Sequence, residues 1–441
     1  ARLIATVQNG DGGDYLHFLK IGDGQWQQLA GYSDQISRAR FGVDSSLYLL
    51  SHRDAPMGKL LRLSASETSA AQATVVVPES GVSIENYLPS GDRLYVADLD
   101  GGPSQVRVFS VDGKPLGKVP LGGILSVDEV VLWGKHDLLY NSTGFIQPPS
   151  WSIFTADTQK VSPAAALSKP FPVSFEDAEV VRDFAVSKDG TRIPINIIRK
   201  KGIALNGENP VLLSGYGGFN ISVSPIYVPT TRVLLDHGFA WAVANLRGGG
   251  EYGEKWHLAG NLTRKQNVFD DFYACAQYLV AHRYTSSEHL GIEGGSNGGL
   301  LMGAALTQHP EMYSVVLASV GIYDMLRVEL SPNGAFNVTE FGTVKEADQF
   351  KAMYAYSPYH HVKADATYPA AIFLTGDNDP RVDPANSRKM VARLQAAGHS
   401  KGPILLRTSS NTGHGVGSSL SEQISQITDA FSFLFEQLGV K

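Results

Sequence analysis

Apolar and polar positions follow two different rhythms along this chain, and the rhythm changes near residue 172. Up to about residue 170 the apolar runs are short and strand-like, at 3–7, 15–19, 47–50, 60–63, 93–97, 106–109 and 138–140. Asn9-Gly10, Asp11-Gly12-Gly13, Asp23-Gly24 and Asp112-Gly113 separate them, and such pairs supply the positive φ that tight hairpin turns need. No long helical period interrupts this pattern. The unit of apolar strand, Asp/Gly turn and apolar strand recurs about four times, at about 40 to 45 residues, the length of a propeller blade. A β-sandwich with coincidental spacing is the rival reading of this pattern. Residues 1–172 are therefore expected to form about four blades of an all-β propeller.

From about residue 175, apolar runs at 211–214, 240–244, 290–292, 315–318, 371–375 and 404–406 alternate with helical stretches, among them 267–281, 387–397 and 420–438. This alternation predicts βαβ units built around a mostly parallel sheet, with helices on both faces. Lys169-Pro170-Phe171-Pro172 marks the boundary, because two prolines break any regular element.

Bulk properties narrow the partners. The 441 residues suit two or three domains, and 43% hydrophobic with 18% charged residues is ordinary for a globular protein. A net charge of −6 argues against nucleic acid and anionic membrane surfaces, which reward a basic face. No apolar run reaches the about 18 residues of a spanning helix. The single cysteine, Cys275, forbids an intrachain disulfide and reads as a buried structural thiol on a helix. The histidines show no His-Glu-x-x-His spacing, so no metal is expected. Arg247-Gly248-Gly249-Gly250-Glu251-Tyr252-Gly253 does not open a helix as a dinucleotide fingerprint would, and no Walker lysine pattern occurs, so no cofactor is expected either. The chain lacks an initiator methionine and starts inside a strand-like pattern, so it reads as cut from something longer. The compartment, cytoplasmic or periplasmic, is left open.

The chemistry concentrates around Ser296. It lies in Gly294-Gly295-Ser296-Asn297-Gly298-Gly299, directly after the apolar Leu290-Gly291-Ile292 and before a helical run ending near His309-Pro310. This is the Gly-x-Ser-x-Gly nucleophile elbow in its expected setting, a sharp strand-to-helix turn that lifts the hydroxyl above the sheet edge. It makes 173–441 an α/β-hydrolase candidate. The following helix N-terminus favours a developing oxyanion. A serine needs a base, and the base an orienting acid, in the chain order Ser, Asp or Glu, His. Asp377, Asp379 and Asp383 all follow the strand at 371–375, and spacing alone does not separate Asp377 from Asp379. His414 sits between Gly413 and Gly415 in a loop after 404–406. His360 and His361 precede the acid and break the order, while His282, His289 and His309 sit near helix ends. The Asn297 N–H is one expected oxyanion donor. The second comes from the loop Gly215-Tyr216-Gly217-Gly218-Phe219, through the Tyr216 hydroxyl or a loop N–H.

Several long motifs together resemble the prolyl oligopeptidase family. They are Gly215-Tyr216-Gly217-Gly218-Phe219-Asn220, Asn245-Leu246-Arg247-Gly248-Gly249-Gly250-Glu251-Tyr252-Gly253, Lys265-Gln266-Asn267-Val268-Phe269-Asp270-Asp271-Phe272, residues 294–301, Asp379-Pro380-Arg381-Val382 and Gly413-His414-Gly415. They cover nearly all of 175–441. The family consists of serine peptidases with an α/β-hydrolase domain capped by a propeller of about seven blades, which admits only short peptides, cut after proline. The resemblance implies Ser296 as nucleophile, Asp379 as orienting acid and His414 as general base, with the Tyr216 hydroxyl and Asn297 N–H as oxyanion donors. It implies Arg381, expected to be buried near the site, as the ligand of a substrate carbonyl, and Phe219 as an aromatic of the proline pocket. Phe341 and Val382 are carried over as substrate-binding.

Two departures qualify it. In many members a tryptophan stacks on the substrate proline, four residues before the aromatic of an acidic-aromatic-Gly motif. Here the motif is Glu340-Phe341-Gly342 and the matching residue is Asn337, so either neighbouring Phe336 supplies the ring or the pocket is more polar. The propeller is also short and the family's N-terminal segment is absent from the sequence, so a C-terminal fragment is expected, with a complete propeller of about four blades as the alternative. This predicts work with a missing N-terminal piece or self-association. The expected activity is hydrolysis of short peptides after proline, with alanine as a further candidate. An exopeptidase or esterase on the same residues, or a propeller interaction module with an idle hydrolase domain, are the rivals.

Overall fold

The structure is a computed structural model and describes residues 2–9, 14–415 and 418–441. Ala1, the turn residues 10–13, and Val416 and Gly417 after His414 lie outside the described residues. Two compact units divide the chain. The first comprises Ala1–Ser174, Ser224–Val228 and Gly250–Lys255, and the second Phe175–Val223, Pro229–Gly249 and Trp256–Lys441. The two short late segments group with the first unit through contacts such as Gly101 N–H on the Glu251 carbonyl at 3.1 Å and Ser126 Oγ on the Pro225 carbonyl at 2.8 Å.

In the first unit, consecutive strands pair antiparallel into one three-stranded sheet and three four-stranded sheets. The sheets follow one another in sequence, as propeller blades do. Strand periodicity explains how they stack. In Leu47–Ser51, Leu47 and Leu49 pack with Leu19 and Leu29 of the preceding sheet, while Tyr48 and Leu50 pack with Tyr87 and Val96 of the following one. The next seam repeats this, with Tyr95 and Val108 against Leu138 and Phe154. Each middle blade is thus apolar on both faces, which is why its strands read as runs rather than as strict alternation. The outer strands Gln27–Ala30, Thr74–Val77, Pro115–Lys118 and Lys160–Pro163 are short. Sequence reading passed over all four.

The second unit is an α/β-hydrolase domain around an eight-stranded sheet. Its order is Ala178–Val186, Arg192–Lys200, Ala240–Ala244, Val211–Ser214, Leu290–Gly295, Val315–Ser319, Ala370–Gly376 and Ile404–Ser409. The first two strands form an antiparallel hairpin absent from the sequence reading, and from Ala240–Ala244 onward all pairs are parallel. Alternate residues face opposite helix layers. Val211, Val316 and Phe373 join the core of Gln266–Ala281, Asn297–Gln308 and Ala385–Ala397, whereas Leu212, Leu317 and Ile372 join Phe433 and Leu434 of Leu420–Gln437. Cys275 is fully buried in the first core, and desolvation pushes its thiol up. Chain direction across the sheet reverses at Val211–Ser214, with Ala240–Ala244 on one side and Leu290–Gly295 on the other. Loops leaving the carboxyl ends of strands at such a switch point diverge and leave a crevice.

Leu49 is 0% exposed between two blades, whereas Val43 is 70% exposed. Leu49→Ala should lower the stability of the first unit by about 2–5 kcal/mol, and Val43→Ala should change it by less than about 0.5 kcal/mol. Thermal melts of the two variants beside the parent check this, and equal midpoints would contradict the blade packing.

Candidate active site

Ser296 stands where the switch point predicts chemistry, at the end of Leu290–Gly295 and the start of Asn297–Gln308. Its backbone holds φ 60° and ψ −118°, a strained conformation for a residue with a Cβ. The close glycines make that turn possible. A Cβ on Gly294 would lie 2.4 Å from the Gly298 carbonyl oxygen, and one on Gly299 would lie 2.4 Å from Gly321 Cα. The Ser296 N–H donates to the Ser319 carbonyl at 2.9 Å, tying the elbow to the neighbouring strand. The Asn297 N–H is the first of the helix and has no acceptor within it.

The loop 215–219 leaves the adjacent parallel strand Val211–Ser214. Gly217 has φ +65°, and Phe219 and Asn220 also take positive φ. The buried Asn297 side chain donates through Nδ2 to the Tyr216 carbonyl at 2.6 Å, linking this loop to the elbow. Burial pushes the Tyr216 phenol up, while the neighbouring Ser296 hydroxyl pulls it down, and the charges of Glu340 and Arg381 act in opposite senses. The Tyr216 hydroxyl thus lies beside Ser296.

Among the three aspartates the structure discriminates clearly. Asp379 has no exposed side-chain surface, and its Oδ2 takes the His414 Nδ1 contact at 2.7 Å. Its Oδ1 accepts the N–H groups of Arg381 and Val382, both at 2.9 Å. Burial opposes the charge, but His414 and the two N–H groups outweigh it and hold the carboxyl below its ordinary range. Asp377 instead pairs with Arg388 at 2.6 Å, and Asp383 accepts the Ala385 N–H at 2.8 Å at the head of Ala385–Ala397. His360 is bound to Ser357 and His361 to the Tyr354 carbonyl. Among the described residues no hydrogen bond joins Ser296 to His414. Contacts of this kind are commonly long without a substrate.

The substrate-side candidates divide. Phe219 meets Phe341 edge to face, with ring centroids 5.5 Å apart. Phe341 and Val382 are buried in the hydrolase core. Asn337 is 7% exposed on the helix Gly334–Phe341, whereas Phe336 is 51% exposed. Arg381 corrects an expectation. Its side chain is exposed rather than buried, and among the described residues it forms no ion pair. The buried anion next to it is already taken by His414 and backbone N–H groups, so nothing draws the guanidinium inward.

Sequence reading missed Lys265 and the partner of Glu340. Lys265 is fully buried, and its Nζ donates to Glu340 Oε1 at 2.7 Å and to the Gly217 carbonyl at 2.9 Å. Glu340 Oε2 meets His257 Nε2 at 3.0 Å. Burial works against the Glu340 charge, but Lys265 and His257 hold its carboxyl low. Lys265 and Glu340 both stand in motifs of the family resemblance, Lys265-Gln266-Asn267-Val268-Phe269-Asp270-Asp271-Phe272 and Glu340-Phe341-Gly342, but nothing in the sequence pairs them. Among the described residues no group of three or more His, Cys, Asp or Glu could hold a metal ion, and no helix is long and apolar enough to cross a membrane.

Comparison with known proteins shows what the chain resembles. A model of the prolyl oligopeptidase family matches residues 227–441, and one of the prolyl oligopeptidase N-terminal β-propeller domain matches 13–166. The prolyl endopeptidase of Elizabethkingia meningoseptica is 34% identical, over 100% of this chain and 62% of its own length. A dual function macrocyclase-peptidase of Amanita bisporigera is 35% identical, over 91% of this chain and 64% of its own. A solved structure from work on two prolyl endopeptidases superposes with a TM-score of 0.90 at 36% identity, covering 100% of this chain and 65% of the other. Prolyl oligopeptidase B from Galerina marginata, bound to a 25mer macrocyclization substrate, gives 0.90 at 25% identity, over 100% and 63%. The chain spans less than two thirds of the length of these relatives.

A folded carboxyl held below its unfolded value stabilises fully above that value, and the stabilisation is lost as pH falls through the folded one. The midpoint difference between the parent and Asp379→Asn should therefore hold from pH 5 down to about pH 4 and shrink below it. Thermal melts across that range check the sign. Shrinkage already complete at pH 5 would contradict the Asp379 environment.

Proposed function

The chain belongs to the prolyl oligopeptidase family, and from that premise we propose that it carries the catalytic machinery of a serine peptidase that cuts short peptides on the carboxyl side of proline. The observation that carries the reading is the buried Asp379 carboxylate on His414 Nδ1 at 2.7 Å, in the same unit as a serine held in a strained elbow.

In this reading Asp379 fixes the His414 tautomer with the proton on Nδ1, leaving Nε2 free as the base. His414 takes the Ser296 proton as Oγ attacks the peptide carbonyl. The developing oxyanion is met by the Asn297 N–H and the Tyr216 hydroxyl, donors preorganised by the helix start and by the Asn297–Tyr216 link. Because burial keeps the Tyr216 phenol protonated, it stays a donor at neutral pH. His414 then protonates the leaving amine, and water releases the acyl group by the reverse sequence.

Phe219 and Phe341 present an edge-to-face aromatic pair suited to the flat proline ring. Asn337 makes one wall of that pocket polar. Phe336, exposed on the outer side of its helix, is a ring that a bound peptide could cover, and Arg381 offers an unpaired fork to a peptide carbonyl. Val382 supports the pocket from the core.

A fluorophosphonate should label Ser296, and Ser296→Ala should abolish labelling while leaving the folding stability within about 1 kcal/mol of the parent. Mass mapping of the labelled peptide checks the assignment. Label on another residue, or labelling retained in Ser296→Ala, would overturn it. Cut sites in a short-peptide library then read the specificity, with cuts after residues other than proline contradicting the proline reading.

A further inference from the structure

Lys265 is a charged side chain enclosed in the hydrolase core, and its surroundings are not those of a space-filler. Its ammonium reaches the Glu340 carboxylate, the Gly217 carbonyl and the face of Phe341, whose ring centroid lies 5.3 Å away. A buried ion pair gives no reliable stability over a well-packed apolar replacement, so what it holds in place matters more than its energy.

It holds the peptide next to Tyr216. Gly217 has φ +65°, and a Cβ there would lie 2.3 Å from Val268 Cγ1, so the position takes glycine alone and has little stiffness of its own. Two fixed donors clamp the loop. Asn297 Nδ2 holds the Tyr216 carbonyl and Lys265 Nζ holds the next one. Glu340 anchors the lysine and belongs to Gly334–Phe341, the helix whose Phe341 ring faces Phe219 at the far end of the same loop. His257 closes the other carboxylate oxygen.

We propose that Lys265 and Glu340 are positioning residues that set the Tyr216 hydroxyl beside Ser296 and lock that placement to the Phe219–Phe341 aromatic wall. Neither touches the reacting atoms, and both act through Gly217. The proposal rests on the serine-peptidase reading of the site. A small displacement of an oxyanion donor is enough to slow reaction, because donors act at the position where charge develops.

The test uses the full chain with both charges removed together, Lys265→Met with Glu340→Gln, since a neutral pair of similar size leaves no stranded charge. Two readouts are followed, the rate of phosphonylation of Ser296 and amide hydrogen exchange across 215–220. The expected result is phosphonylation slowed on the order of 10- to 100-fold, faster exchange at 215–220 and unchanged exchange at 290–308. In a Tyr216→Phe background the same double change should slow labelling no further, and Glu340→Asp alone should keep most of the parent rate.

A looser loop with an unchanged labelling rate would overturn the proposal, leaving the pair merely structural. Slowed labelling with unchanged loop exchange, or a loss that multiplies with Tyr216→Phe, would overturn it as well, since the pair would then act by another route. If the double variant fails to fold, Lys265→Met alone, which leaves Glu340 still paired with His257, is measured by the same two readouts and judged by the same outcomes. A parent chain that resists the reagent at Ser296 sinks the serine-peptidase reading itself, and the proposal falls with it whatever the loop exchange shows.

Discussion

Holding a serine at positive φ between a strand and a helix is the constraint around which the hydrolase unit is arranged. The conformation is unfavourable for a residue with a Cβ, so the surroundings must fix it. Glycine is required at 294 and 299 because neighbouring backbone occupies the space of any side chain. The strand before the turn lies at the centre of an eight-stranded sheet, buried on both faces. The helix after it is buried over nearly all its length. Packing on this scale can hold one strained residue, and the adjacent switch point leaves room above it.

The candidate site residues come from different strand ends, and most are held by their own local anchors. Asp379 is pinned by two backbone N–H groups, so the carboxylate that meets His414 has little freedom. The 215–219 loop is held by Asn297 on one carbonyl and by Lys265 on the next. His414 is different, since glycines flank it and Gly415 takes φ +92°. Its imidazole is nonetheless fixed at one nitrogen by the Asp379 carboxylate, at 2.7 Å.

What the sequence disclosed follows from the range of the interactions involved. The elbow was legible because strand, turn and helix are contiguous, and its small residues are a local necessity. The mostly parallel sheet was legible because strands buried on both faces appear as unbroken apolar runs such as Val211-Leu212-Leu213. Choosing Asp379 over Asp377 was beyond spacing, because both follow the same strand and differ only in what lies across from them. The family resemblance made that choice, and burial and pairing are consistent with it. The outer blade strands were missed because short edge strands leave weak periodic signals, whereas in the first hairpin Ala178–Val186 is an only partly buried edge strand and Pro194 interrupts the apolar run of Arg192–Lys200. Lys265 was visible as the head of a family motif, but its burial was not. Its flanking residues are polar, and only the distant Glu340 and Gly217 explain its burial. The grouping of Ser224–Val228 and Gly250–Lys255 with the first unit is equally non-local.

The central claim is that Ser296, His414 and Asp379 work as one unit, and the phosphonylation rate of Ser296 in His414→Ala, Asp379→Ala and the double variant tests it most directly. Residues acting as a unit give strongly non-additive losses. The double variant should react about as slowly as the worse single one. Losses that instead multiply would mean that the two side chains act independently, and the triad reading would be wrong.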